Sequence, residues 1–304
     1  MTQREMFNGD ETSMLRPPFI ASPVFKTDGG VYYFKEPSVA LVSRPQVNLE
    51  AIRPFLESFP EEHGFTSYLD DPDNLPDAEA AAKFAGQLCY LSLGPRRTKN
   101  KEAERYFRNI NESGHGSVYE HPGFSFLFWG VSRSLTHELV RHRAGFGFSQ
   151  VSQRYASGSL LRFCMRPEFQ GNKDLEENFL DDIELQYDFY HLTREKWGKI
   201  LDQRLTSDVK KALGKSGLRK MKNQVARNSL PNCTEAPIYV TMNTRALRHF
   251  LHMRGSKFAE TEIRALSLKL FKLVQIHLPN ILRDVTTEDL PDGTSGLHLQ
   301  FPKV

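Results

Sequence analysis

The sequence predicts an α+β fold in which an antiparallel or mixed sheet is flanked by long helices. Short runs rich in β-branched and aromatic residues, Val39–Ser43, Phe124–Phe128 and Tyr239–Met242, have the length and composition of strands. Much longer stretches, Leu175 to about Leu205 and Phe258 to about Leu278, repeat apolar residues near helical spacing. The 304 residues are 39% hydrophobic and include 22 Phe and 10 Tyr, which supports a sizeable core.

Residues 1–35 scatter Pro, Gly and charge around one short strand, Val31–Phe34, and read as an N-terminal extension laid over a neighbouring subunit. Residues 36–285 read as one domain with a helical insertion around 165–220, and 286–304 as a loose Pro-, Gly- and Thr-rich tail. Within the domain, the turn-rich Asp70–Pro76 leads into an alanine-rich helix, Asp77–Leu93, and Lys101–Asn111 is a second, more polar one. The loop Ser113–His121 feeds the aromatic strand. Ser132–Val140 is a helix with Ser132 or Ser134 as N-cap and Leu135, Leu139 and Val140 on its apolar face. Arg141-His142-Arg143 forms its last turn, and Gly145 sits where a left-handed C-terminal residue is expected.

In the long helix, Phe179, Ile183, Tyr187, Tyr190, Leu192 and Trp197 make a core or helix-packing stripe. Ser207–Leu213 continues it after a turn, and Gly214 and Gly217 interrupt the pattern before Leu218–Arg227. The run Lys210, Lys211, Lys215, Arg219, Lys220, Lys222 is a solvated face. Asn243 caps a helix that runs to Arg254, and Pro279 stops or kinks the helix after it.

The stretch Arg141–Tyr155 carries the chemistry. It holds three Arg, two Ser and two Gln with almost no aliphatic bulk. Residues two apart on a helix point to different sides, so Arg141 and Arg143 serve two neighbouring anionic sites better than one. Ser149, Ser152 and Arg154 then present donors suited to phosphate oxygens. Cations in a last turn also complement the helix dipole, worth about 0.3–1 kcal/mol. A dipole complement has no need of a second cluster of anion ligands a few residues on.

Composition excludes several classes. Net charge is +3 from 40 basic and 37 acidic residues, too balanced to argue by itself for a nucleic-acid protein, and no nucleic-acid partner is expected. Cys89, Cys164 and Cys233 form no C-x-x-C, which fits a reducing compartment rather than a disulfide framework or a zinc cluster. His115 and His121 lack a third ligand at metal spacing, so no metal is expected. No signal pattern and no membrane-length apolar run occurs, and the expectation is a soluble, cytoplasmic protein with no membrane partner.

Arg141-His142-Arg143, then a short loop, then Ser149-Gln150-Val151-Ser152-Gln153-Arg154-Tyr155 resembles the signature of flavin-dependent thymidylate synthases. Further motifs agree in order: Gly-His-x-Ser-x-x-Glu-His at 114–121, Ala-Arg-x-x-Leu-Pro at 226–231, Asn-x-Arg-x-Leu-x-x-Phe-Leu-x-x-Arg at 243–254, and Ala-x-x-Glu-Ile at 259–263. The resemblance covers roughly 80–160 and 222–285. It implies a homotetramer whose active sites are shared between subunits, with FAD as cofactor and NADPH and 5,10-methylenetetrahydrofolate as co-substrates. His121, Arg141, His142, Arg143, Asn243, Arg245 and His249 are the implied flavin residues. Glu138, Gln150, Ser152, Gln153, Arg154, Arg227 and Arg254 are the implied nucleotide residues, with Arg254 and Ser152 catalytic. The lone Cys233 reads as a packed small hydrophobe, not the nucleophile of the flavin-free thymidylate synthases.

The chain departs from the family pattern in three places. Eight residues, Ala144 to Val151, separate Arg143 from Ser152, one more than usual. Glu138 stands where many members have Gln, and His249 where many have Asn. The implied reaction is C5 methylation of a pyrimidine nucleoside monophosphate, dUMP first, with UMP or dCMP as alternatives. A non-catalytic nucleotide-binding relative is the reading from a different class.

Overall fold

The computed structural model describes residues 17–304; residues 1–16 of the expected extension lie outside the described residues. The first half runs β1 (Phe19–Ile20), β2 (Val24–Lys26), β3 (Tyr32–Phe34), β4 (Ser38–Ser43), α1 (Arg53–Glu57), α2 (Asp77–Cys89), α3 (Ala103–Ser113), β5 (Gly123–Trp129) and α4 (Arg133–Leu139). Then come β6 (Phe146–Gln150), β7 (Arg162–Cys164), the long α5 (Lys173–Arg204) and α6 (Ser207–Ala226). The chain closes with β8 (Ile238–Asn243), α7 (Thr244–Gly255), α8 (Thr261–Val274), β9 (Val285–Asp289) and β10 (Ser295–Leu299). The fold is α+β. A five-stranded sheet in the order β1-β4-β5-β8-β6 is antiparallel throughout, and a smaller sheet, β2-β3-β7, is mixed.

Alternation along the central strands builds the core. Phe124, Phe126 and Phe128 point to one face with ring centroids 6.2 and 6.0 Å apart, beside Ile238, Val240 and Met242. Leu247, Phe250 and Leu251 of α7, with Ile263, Leu266 and Leu270 of α8, join the same cluster. Both helices are therefore held by apolar burial, and α7 can present polar residues from its other side. Among the described residues no helix is long and apolar enough to cross a membrane.

Several expectations change. The helix before Arg-His-Arg ends at Leu139, so Arg141–Arg143 is connecting chain and not a last helical turn. The expected loop from Arg143 to Ser152 contains β6, an edge strand paired to β8 from Phe146↔Met242 to Gln150↔Ile238. Its signal was a two-residue alternation of Phe146, Phe148 and Gln150, masked by Gly145 before it and Gly147 within it. Of the α5 stripe, Phe179, Ile183 and Tyr190 are buried but Leu192 is exposed. The basic run of α6 is not uniformly solvated, because the Lys220 ammonium lies 5.4 Å from the centroid of the Tyr155 ring. As expected, Gly214 breaks α6, at φ 61° and ψ 178°.

The chain from Arg283 onward is not loose. β9 and β10 form a hairpin that buries Leu297 and Leu299 in the main core. Arg248 of α7 anchors it, donating to both oxygens of Asp284 at 2.7 and 2.9 Å and to the Phe301 carbonyl at 3.0 Å. Both partners are buried, so each is costly to leave alone. Arg248→Met should lower unfolding free energy by about 3–5 kcal/mol. Urea titration checks this, and a second change, Asp284→Leu, should recover much of the loss.

Candidate active site

Three segments converge at one end of the large sheet. Gly123 pairs with Asn243, and the Pro122 carbonyl accepts from the Thr244 N–H at 2.9 Å and its Oγ1 at 3.1 Å. His121 therefore lies next to the start of α7. Asn243 is the N-cap, its Oδ1 accepting from the Ala246 N–H at 2.8 Å, which leaves the side-chain NH₂ as donor. The Asn243 N–H donates to the Gly145 carbonyl at 3.1 Å, which ties in the end of the Arg-His-Arg segment. Arg245 is occupied: it donates to Glu120 Oε1 at 2.6 Å and to the Val304 backbone oxygen at 3.1 Å. Arg141, Arg143 and His121 are exposed, and among the described residues neither arginine has an ion-pair partner.

The far end of α7 returns to the same segment. Arg254 donates from Nε to His142 Nε2 at 2.9 Å, from Nη1 to Glu138 Oε2 at 2.5 Å, and from Nη2 to the Glu138 carbonyl at 3.2 Å. Three of its five N–H donors are thereby used and two remain. His142 accepts at Nε2, so its proton sits on Nδ1. Its ring packs against Phe146, His249 and Phe250 at 5.5, 5.6 and 5.5 Å. Burial, then the nearby Arg254 and His249, pushes His142 down to about 4, which keeps it neutral near pH 7. Burial also raises the Glu138 carboxyl above its ordinary range, with Arg254 opposing.

A second group forms beyond the other end of β6. Gln150 is held by both ends of its amide, donating to Thr136 Oγ1 at 2.7 Å and accepting from Arg133 Nη1 at 3.0 Å. The Ser152 carbonyl accepts from the Tyr155 N–H at 3.0 Å, closing a turn that carries Gln153 and Arg154. Asn223 of α6 donates to the carbonyls of Arg154 at 3.3 Å and Ala156 at 2.7 Å. Arg154 and Lys220 both lie over Tyr155, and Arg227, at the C-cap of α6, is exposed. Gln153 lines a cavity of about 480 Å³ with Val24, Tyr32, Leu160 and Tyr190.

The structure thus brings Glu138, His142, His249 and Arg254 together, and His121, Asn243 and Arg245 together. Ser152, Gln153 and Arg154 stand apart from Arg141 and Arg143 within one chain. Five residues of strand lie between, about 14–17 Å at ~3.4 Å per residue. Cys233 belongs to none of these groups. It packs against the cluster that contains Tyr33 and Phe163, and burial pushes its thiol up to about 12. Among the described residues no group of three or more His, Cys, Asp or Glu could hold a metal ion.

Sequence reasoning missed Arg133, Thr136 and Asn223, and it gave Glu262 only as part of the Ala-x-x-Glu-Ile motif, with no role. Ser132 is the N-cap of α4, accepting from the Leu135 N–H at 3.0 Å. The buried Glu262 fixes it, accepting from the Ser132 N–H at 2.8 Å and its Oγ at 2.6 Å.

His142 gives the site a pH signature. Its folded value near 4 lies below the ordinary 6.5, so between these values the unfolded chain takes up a proton that the folded chain refuses. That contribution to stability is full above about pH 6.5 and is lost as pH falls toward about 4. His277, also held near 4, adds a contribution of the same sign. Urea midpoints should fall from pH 7 to pH 5, and His142→Asn should flatten part of that fall while leaving the share of His277.

Residues 72–280 match the family described as Thymidylate synthase complementing protein. The flavin-dependent thymidylate synthase of Corynebacterium diphtheriae is 36% identical over 219 residues, which covers 72% of this chain and 83% of the relative. The enzyme of that name from Mycobacterium sp. strain JLS is 37% identical over 229 residues, covering 73% and 88%. That from Mycobacterium tuberculosis is 36% identical over 235 residues, covering 75% and 90%. With this coverage and motifs in the same order, the chain belongs to the flavin-dependent thymidylate synthase family.

Proposed function

We propose that the protein is an FAD-dependent thymidylate synthase, methylating C5 of dUMP with methylenetetrahydrofolate as carbon donor and NADPH as reductant. The observation that carries this reading is the set of exposed cations Arg141, Arg143 and Arg227, without an ion-pair partner among the described residues, together with Arg254, paired with Glu138 but with two donors to spare. Such a set suits two phosphorylated ligands.

FAD fits the residues at the start of α7. Arg141, Arg143 and the Asn243 NH₂ are all donors, which matches a pyrophosphate, with His121 and the Glu120-paired Arg245 alongside and His249 farther along α7 against His142. When bound and reduced, FAD would supply the hydride and carry the one-carbon unit. Ser152, the Gln153 backbone, Arg154 and Arg227 would hold the nucleotide phosphate. Arg254, kept in place by Glu138 and by neutral His142, would stabilise negative charge developing on the pyrimidine. Glu138 and Gln150 act here by holding Arg254 and α4. Because β6 separates the two cation groups of one chain, a complete site would combine residues of neighbouring subunits, as a homotetramer allows.

The deciding assay combines protein, FAD, NADPH and methylenetetrahydrofolate with dUMP, UMP or dCMP in turn, and identifies products by mass. dTMP is expected. Methylated UMP or dCMP without dTMP would move the substrate and keep the chemistry, and no methylated product despite bound, reducible flavin would leave a nucleotide-binding protein. Cys233→Ala should retain most turnover, since its thiol is packed and held protonated. Complete loss of turnover with normal flavin content would restore a cysteine nucleophile.

A further inference from the structure

We propose that Gly145 is a positioning residue of the flavin site, the seat through which the Arg141–Arg143 segment is latched to the first turn of α7. The proposal rests on the FAD reading above. The chain leaves Arg143, turns at Gly145 with φ +74°, and enters β6. At that turn the Gly145 carbonyl accepts the Asn243 N–H at 3.1 Å. A Cβ on Gly145 would stand 2.8 Å from Asn243 Oδ1, 2.9 Å from Asn243 Nδ2 and 2.9 Å from Ala246 Cβ.

None of those neighbours can yield cheaply. Asn243 Oδ1 is the cap of α7, already holding the Ala246 N–H at 2.8 Å, so moving it uncaps the helix. Ala246 Cβ rides on the helix backbone. Backbone conformation and lack of space therefore both select glycine here. Gly147, two residues on, is under no such constraint, with its nearest obstacle, Thr241 Cβ, at 3.9 Å.

The latch lies within the Arg143–Ser152 stretch, which has one residue more than the family pattern. On its other side the same segment is pinned where Arg254 meets His142 and Glu138. Arg143 lies between the two attachments, and neither it nor Arg141 has an ion-pair partner among the described residues to hold it. Pre-organising these cations for an anionic cofactor is then the work of Gly145 from one side and Arg254 from the other.

The test is FAD affinity of the full-length protein, read by flavin fluorescence quenching, together with hydrogen exchange at the Asn243 amide. Gly145→Ala should weaken FAD binding between about ten- and a hundredfold, as expected for a small displacement of binding groups, and should speed exchange at Asn243. Adding Ala246→Gly, which removes one of the colliding atoms, should recover part of both. Rescue separates a seating role from general destabilisation, which a helix glycine would only worsen. If Gly145→Ala cannot be purified, Ala246→Ser crowds the same seat from the helix side and should shift both readouts in the same direction. Unchanged FAD affinity and unchanged exchange would overturn the latch while leaving the FAD reading intact. If the unsubstituted protein takes up no FAD, that reading fails by itself, and the Asn243 exchange comparison still decides whether the seat exists.

Discussion

Arg254 reaches from the last turn of α7 to Glu138 and His142, and the geometry of the candidate site depends on that contact. The three side chains are half-buried, so the charge pair works in a lower dielectric than an exposed pair would. The pair is costly to break because either partner would be left partly desolvated. His142 takes part as a neutral acceptor, which explains why its low proton affinity is structurally useful: a protonated imidazole would turn a hydrogen bond into repulsion with the guanidinium.

The rest of the fold makes this contact possible. α7 is held to the sheet by Leu247, Phe250 and Leu251, and its end facing the hairpin is anchored by the buried Arg248–Asp284 pair. α4 is only seven residues long and could not hold its own orientation by propensity. Glu262 supplies the missing constraint by gripping Ser132, so α8 sets where α4 begins and α7 sets where it leads. Polar residues in the core of this protein thus fix helix positions, while apolar burial supplies the driving force.

The edge strand β6 has a different role. As the outermost strand it is exposed on one side, and it carries a cation group at each end. A single chain therefore presents two separate groups of cations instead of one. α6 reinforces the second group through Asn223 and Lys220, tying the helical region that follows β7 to the Ser152–Tyr155 turn.

The sequence alone determined the class of the fold, because period-two aromatic runs and long helical stripes are local patterns. It also marked the donor-rich residues, since Arg, His, Ser and Gln clustered without aliphatic bulk have few structural reasons to occur together. The caps at Ser132 and Asn243 were legible for the same local reason. Other features needed the tertiary structure. Gly145 and Gly147 hid β6, and its pairing is with the edge of β8. Leu297 and Leu299 are too few to announce a strand, and they are buried because α7 and α8 leave an apolar face for the hairpin. The pairing of Glu138 with Arg254, 116 residues apart, could not be read from spacing at all. Such contacts are set by how helices pack, and that depends on the whole core rather than on any one stretch of chain.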